Sequence, residues 1–118
     1  MEPIFNRRGR TVAWLDGETI FDLRGYAIAL VRGEQVYDYR GRTLGTHADG
    51  YFREPRHGQA VGFTNGASGG PIPPIPEIPP IPPIPGISPI PPIPPIPPIP
   101  PIPALSWSNL SWEQWLAG

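Results

Sequence analysis

Between Pro71 and Pro103 isoleucine occupies every third position, from Ile72 to Ile102, and nearly everything between is proline. Proline fixes φ near −65° and pushes the residue before it out of the helical region. A run in which almost every residue is proline or precedes one is thereby confined to polyproline II. That helix has three residues per turn, so Ile72, Ile75, Ile78, Ile81, Ile84, Ile87, Ile90, Ile93, Ile96, Ile99 and Ile102 fall in one column. The tract predicts a stiff rod with an apolar edge, roughly 100 Å long if straight. Its other two columns are proline except at Ser88 in one and at Glu77 and Gly86 in the other. A collagen triple helix is excluded, because it needs glycine and not isoleucine at every third place.

With 118 residues, there is room beside the tract for one small domain. The net charge of −1 offers no global attraction to nucleic acid or acidic membranes. All nine basic residues are arginines placed before residue 57, and lysine is absent. That excludes a lysine Schiff base and a Walker-type phosphate loop. Without cysteine there is no disulfide and no thiolate nucleophile or metal ligand. No apolar run approaches the ~18 residues of a membrane span, and Met1–Arg10 does not read as a signal peptide. Cytoplasmic location is the default expectation, with signal-independent export left open.

The first 66 residues repeat. Ile4-Phe5-Asn6-Arg7-Arg8-Gly9 is followed by Ile20-Phe21-Asp22-Leu23-Arg24-Gly25, by Val36-Tyr37-Asp38-Tyr39-Arg40-Gly41, and more loosely by Tyr51-Phe52-Arg53 with an insertion before Gly58. Gly9, Gly25, Gly41 and Gly58 are spaced 16, 16 and 17 residues apart. Each unit reads as a β-hairpin: a β-branched and aromatic strand, a turn at the glycine, then an alternating apolar strand. Asp16-Gly17, Arg32-Gly33, Asp49-Gly50 and Asn65-Gly66 supply the turns between units. The expectation is an all-β fold of four pseudo-symmetric hairpins, eight short strands in up-and-down order. Small residues recur at Ala13, Ala29, Gly45 and Gly62. Either the strands crowd together there near a pseudo-symmetry axis, or these positions face solvent. Trp14, Leu30 and Phe63 are expected in the core, and Thr46 interrupts their pattern in the third unit.

These phrases, the aromatic-Asx-x-Arg-Gly turn followed by an apolar-small pair, resemble the bacterial 4-fold beta flower domain over residues 3–66. The resemblance implies four hairpins about a pseudo-fourfold axis and no established activity. The fourth unit departs from it by carrying Glu54-Pro55-Arg56-His57 where a tight turn belongs.

The chain thus divides into a hairpin-repeat domain (1–66), a flexible Ala-Ser-Gly-Gly joint (67–70), the polyproline tract (71–103) and a Trp-rich tail (104–118). Gly86 sits at the middle of the tract. Two arrangements follow: an extended rod, or two arms folded back at Gly86 with isoleucines facing. In the tail, Ser111 and Gln114 match a capping box, and Trp112, Trp115 and Leu116 would share one face of a short helix. So short a helix is not stable alone in water. The tail reads as an anchor for protein: the chain's own domain, another copy or a partner. A membrane interface is disfavoured by the lack of neighbouring cations. The same lack, from residue 67 onward, argues against an SH3 ligand despite the PxxP pattern.

No catalytic constellation accompanies these parts. The first serine is Ser68, outside the repeats, and His47, Asp49 and His57 match no metal motif. No cofactor or metal is expected. Asn6, Asp22 and Asp38 hold one repeat position and are assigned to turn stabilisation. Arg8, Arg24 and Arg40 form either a solubilising rim paired with carboxylates or an anion site. The sequence therefore reads as a non-enzymatic structural or protein-binding module: a β head, a rigid polyproline II spacer and a Trp anchor. Its binding residues are the eleven isoleucines with Trp107, Trp112, Trp115 and Leu116. The alternative is a head that recognises an anion or polyanion at Arg8, Arg24 and Arg40.

Overall fold

A computed structural model describes all residues, 1–118. Eight strands, β1 (Glu2–Phe5), β2 (Thr11–Asp16), β3 (Thr19–Phe21), β4 (Ala27–Arg32), β5 (Gln35–Asp38), β6 (Thr43–Ala48), β7 (Tyr51–Arg53) and β8 (Ala60–Phe63), are followed by one helix, α1 (Trp112–Leu116). Each strand pairs antiparallel with its sequence neighbours, and Phe5 pairs with Phe63 to close a barrel. The four expected hairpins are β1–β2, β3–β4, β5–β6 and β7–β8.

Every hairpin carries a register shift at the same place, between Ile4/Phe5, Ile20/Phe21, Val36/Tyr37 and Phe52/Arg53. A bulge sharpens the twist and bends the strand, and four of them curl so short a sheet into a ring. The turns beyond the bulges are held alike. Asn6, Asp22 and Asp38 each accept two backbone N–H bonds through Oδ1, as Asp22 does from Arg24 (2.9 Å) and Tyr26 (3.0 Å). In the fourth unit the loop is one residue longer, and so is the side chain: Glu54 accepts from His57 and Gln59.

Two apolar layers result. Inside the barrel lie the cross-strand pairs Ile4–Ala13, Ile20–Ala29, Val36–Gly45 and Phe52–Gly62. All eight are buried, so the small positions face the axis and not solvent. The four bulged residues Val12, Ile28, Leu44 and Val61 join this inner cluster. Trp14, Leu30 and Phe63 are buried as expected, yet they stand outside it. Strand alternation turns them outward with their partners Phe21, Tyr37 and Phe5. The sheet is apolar on both faces, and the outer one needs a cover.

Residues 67–107 supply that cover. The molecule measures 35 × 35 × 22 Å, which leaves no room for a straight rod of roughly 100 Å. The tract is neither straight nor folded back on itself; it encircles the barrel. The 36 residues from Gly69 to Ala104 span about 110 Å as polyproline II, and a circle 35 Å across has a circumference of about 110 Å. Buried or half-buried members of the tract are mostly of one column: Pro71, Pro74, Pro83, Pro92, Pro95 and Pro101. That column holds the two exceptions to proline, Glu77 and Gly86. Both use the N–H that proline lacks. Glu77 donates to the Gly9 carbonyl and Gly86 to that of Gly25, each at 2.8 Å, while Ala104 donates to Gly58 at 3.1 Å. The donors stand nine residues apart, with Pro95 in the remaining place, and the acceptors are the turn glycines of the first, second and fourth hairpins. Gly86 is therefore a fastening point and not a hinge.

Candidate functional site

The path of the belt determines what the isoleucines do. Because the residues that touch the barrel, from Pro71 to Pro101, come mostly from one column, the isoleucine column is held about a third of a turn away from it along the circuit. All eleven isoleucines from Ile72 to Ile102 are at least 90% exposed. The result is a closed apolar ring around a disc, brought together by the belt alone.

The tail is placed differently. The Ser111–Gln114 capping box forms as expected, with the Gln114 N–H donating to Ser111 Oγ and the Ser111 N–H to Gln114 Oε1. Trp112 and Trp115 are buried in the inner cluster, with Leu116 half-buried against it, so α1 closes one mouth of the barrel. Trp112 packs edge-on to Phe52 at 5.5 Å between ring centroids. A Cβ on Gly62 would sit 3.0 Å from the Trp112 ring, and Trp115 Nε1 donates to the Leu44 carbonyl at 2.7 Å. The small residue of the fourth unit thus makes room for a tryptophan, whereas that of the third, Gly45, makes room for the Arg53 carbonyl. Trp107 is half-buried beside Tyr51 and Phe63, where Ser106 and Ser108 bond to Ala60 along β8. The three tryptophans anchor on the protein's own barrel, away from the isoleucine ring.

Arg8, Arg24 and Arg40 occupy equivalent positions in the turns of the first three hairpins, all exposed. None forms an ion pair; the two salt bridges are Arg32–Glu18 and Arg42–Asp38, each at 2.8 Å. The expected pairing of this rim with carboxylates is absent. The Asp38 carboxyl is held below its ordinary range. Burial would raise it, but the backbone N–H groups of Arg42 and Arg40 and the Arg42 guanidinium outweigh burial. His47 is half-buried and stacked on Phe52 at 4.4 Å, whereas His57 lies on an exposed turn. No group of three or more His, Asp and Glu side chains is placed to hold a metal.

Sequence reasoning missed Arg53. It stands where the other units place Phe5, Phe21 and Tyr37, and it is 4% exposed. Its Nη1 donates to Gly58 and Ala104 carbonyls at 2.6 Å, and its Nη2 donates to that of Gly69 at 3.1 Å. One side chain therefore joins the beginning and end of the belt. Tyr51 assists: its hydroxyl donates to the Pro71 carbonyl, and its ring lies 5.3 Å under the Arg53 guanidinium. Burial pulls the Arg53 pKa below its ordinary value, with Tyr51 and Asp49 opposing. The signal was available, since Arg53 breaks an aromatic position of the repeat.

These features define a class: a small closed β-barrel of four bulged hairpins, belted by polyproline II and plugged by its own C-terminal helix. A model of the 4-fold beta flower protein family matches residues 2–116, so the chain belongs to that family. The match runs beyond the hairpins through the belt and into α1. No curated protein and no solved structure matches the chain. No helix is long and apolar enough to cross a membrane.

Proposed function

We propose that this protein is a non-enzymatic assembly module whose isoleucine ring docks onto the ring of a second copy. The observation that carries the reading is the exposure of all eleven isoleucines, at least 90% each, on one closed circuit. At roughly 60–120 Å² per side chain the ring offers on the order of 1,000 Å² of apolar surface. Soluble monomers expose patches of a few hundred Å², and a standard interface takes about 800 Å² from each partner. A ring running around a molecule 35 Å across needs a surface of matching size and curvature, and a second copy offers the same ring. Apposition about a twofold axis is self-complementary. The proline backbone is ordered before contact, so association costs little conformational entropy. On this reading the belt is a shaped contact surface and no longer a spacer, and the tail anchors belt to barrel.

Sedimentation equilibrium of the native chain against a variant with Ile78, Ile81, Ile90 and Ile93 replaced by Thr tests this. Threonine keeps the β-branched preference for extended backbone. A native dimer that becomes monomeric in the variant is expected. A native chain that stays monomeric at all concentrations, or a dimer indifferent to the four substitutions, refutes it.

A second reading is supported by the unpaired state of Arg8, Arg24 and Arg40 at equivalent turns: an anion or polyanion bound at this rim. Pyrophosphate should then raise the melting temperature of the native chain and not of the triple Arg→Gln variant. No response to the anion removes this reading.

A further inference from the structure

The fourfold symmetry of the outer layer fails at one quadrant. Between belt and barrel, β2–β3 presents Trp14 with Phe21, β4–β5 presents Leu30 with Tyr37, and β8–β1 presents Phe63 with Phe5. The β6–β7 quadrant presents Thr46 with Arg53, and Arg53 is committed to the belt ends. The belt is also fastened differently beside it, by a side-chain bond from Gln35 Nε2 to the Pro95 carbonyl. Position 95 is proline, so no N–H is donated there, and Gly41 has no belt atom near it, unlike Gly9, Gly25 and Gly58. A cavity of about 470 Å³ opens beside Thr46, over β5–β6, bounded by Pro97, Pro98 and Pro101 on the belt and by Gln35, Thr43 and Thr46 on the barrel, with Arg32 and Glu34 at its edge.

We infer that this cavity is a binding site for a small neutral aromatic molecule carrying one hydrogen-bond donor, of the phenol or indole class. The occupant's chemistry follows from the other three quadrants, where the corresponding space is filled by the chain's own apolar and aromatic side chains. Its volume lies within the ~300–1,000 Å³ of small-molecule sites. The proline rings give an apolar wall suited to an aromatic face. Opposite them, Gln35 donates through Nε2 to the Pro95 carbonyl at 3.0 Å and to Thr43 Oγ1 at 3.5 Å. That leaves Gln35 Oε1 to accept a bond from a ligand hydroxyl or ring N–H. Arg32, at the edge, is already paired with Glu18, and Glu34 beside it has no ion pair, so the site carries no free cation to select an acid and one carboxylate that disfavours it.

Indole is the probe, titrated into the ¹⁵N-labelled full-length chain while backbone amide shifts are followed. Saturable shifts confined to Thr43, Gly45, Thr46 and the Gln35 side chain are expected, with 1-methylindole binding several-fold more weakly because it has no N–H. Thr46→Trp copies the first quadrant and Thr46→Leu the second. Each should fill the space and weaken indole at least tenfold. Either folded variant suffices, and the native titration stands by itself. Shifts that do not saturate, that spread over all four quadrants or the isoleucine ring, or that survive both substitutions overturn the assignment.

Discussion

Replacing Arg53 by methionine should undo the belt while leaving the barrel intact. The side chain makes three charge-assisted bonds, two at 2.6 Å and one at 3.1 Å, to carbonyls of Gly58, Ala104 and Gly69. Hydrogen bonds to charged groups contribute roughly 1.5–3 kcal/mol each, and a buried carbonyl left without a partner costs about 1–3 kcal/mol. Against this, the guanidinium has no carboxylate partner, and methionine relieves the several kcal/mol spent on desolvating it. The net expectation is a loss of about 3 kcal/mol. For a chain of this size that lowers the melting temperature by roughly 10–15 °C. The distribution of the loss is more diagnostic than its size. With its ends released, the belt should open before the barrel melts, so amide exchange should accelerate first at Glu77, Gly86 and Ala104, whose N–H groups fasten it. Calorimetry with residue-resolved hydrogen exchange reads both. A destabilisation below about 1 kcal/mol, or protection lost evenly from strands and belt, would refute the reasoning.

Gly25→Ala and Gly41→Ala separate backbone strain from belt contact. Both glycines have positive φ, +92° and +80°, but a Cβ on Gly25 would lie 2.5 Å from the Ile84 carbonyl whereas one on Gly41 meets nothing. Denaturant unfolding should show Gly41→Ala costing about 1 kcal/mol, the left-handed penalty alone, and Gly25→Ala clearly more; equal costs would deny the contact. Stability should also fall as the pH drops below 6.5 because of His47. Burial lowers its pKa in the folded state, only partly offset by Glu2. The unfolded chain therefore binds more protons as pH falls through 6.5, and a single such group gives at most about 1.4 kcal/mol per pH unit. His47→Phe, which keeps the stack on Phe52, should flatten that window. Asp38, with a lowered carboxyl pKa, acts only below about pH 4, where its stabilisation is lost on protonation.

The hairpins were legible because their signals are local. Asn6, Asp22 and Asp38 fix turns through bonds to residues two and four positions on, and glycine marks each reversal. The capping box at Ser111 is equally local. The inward turn of Val12, Ile28, Leu44 and Val61 was not read, because a bulge inserts one residue into the alternation and sends Trp14, Leu30 and Phe63 to the opposite face. The course of the tract was hidden for another reason. Polyproline II fixes local conformation so strongly that only the long-range match of two periods, nine residues in the belt against sixteen in the barrel, reveals the curvature. Glu77 and Gly86 looked like interruptions; they are the places where a donor is required.

That match of periods also explains why proline suits the task. A 66-residue sheet apolar on both faces leaves Trp14, Phe21, Leu30 and Tyr37 needing cover, and an ordinary loop laid over them would bring an N–H at every residue. Each such group, trapped against aromatic rings, costs as much as a lost hydrogen bond. In the belt the inward column is proline wherever it crosses apolar surface, so no donor is buried there. Donors return at Glu77, Gly86 and Ala104, where a turn carbonyl waits. Proline also restricts the unfolded chain, so ordering a third of the protein into a ring loses less entropy than ordering a flexible segment of equal length. None of these requirements touches the isoleucine column. A belt that only covered the barrel would be served as well by Thr, Gln or Glu at those eleven positions, with no apolar ring exposed. Covering explains the prolines but not the eleven exposed isoleucines, and that remainder is what the proposed docking between copies would account for.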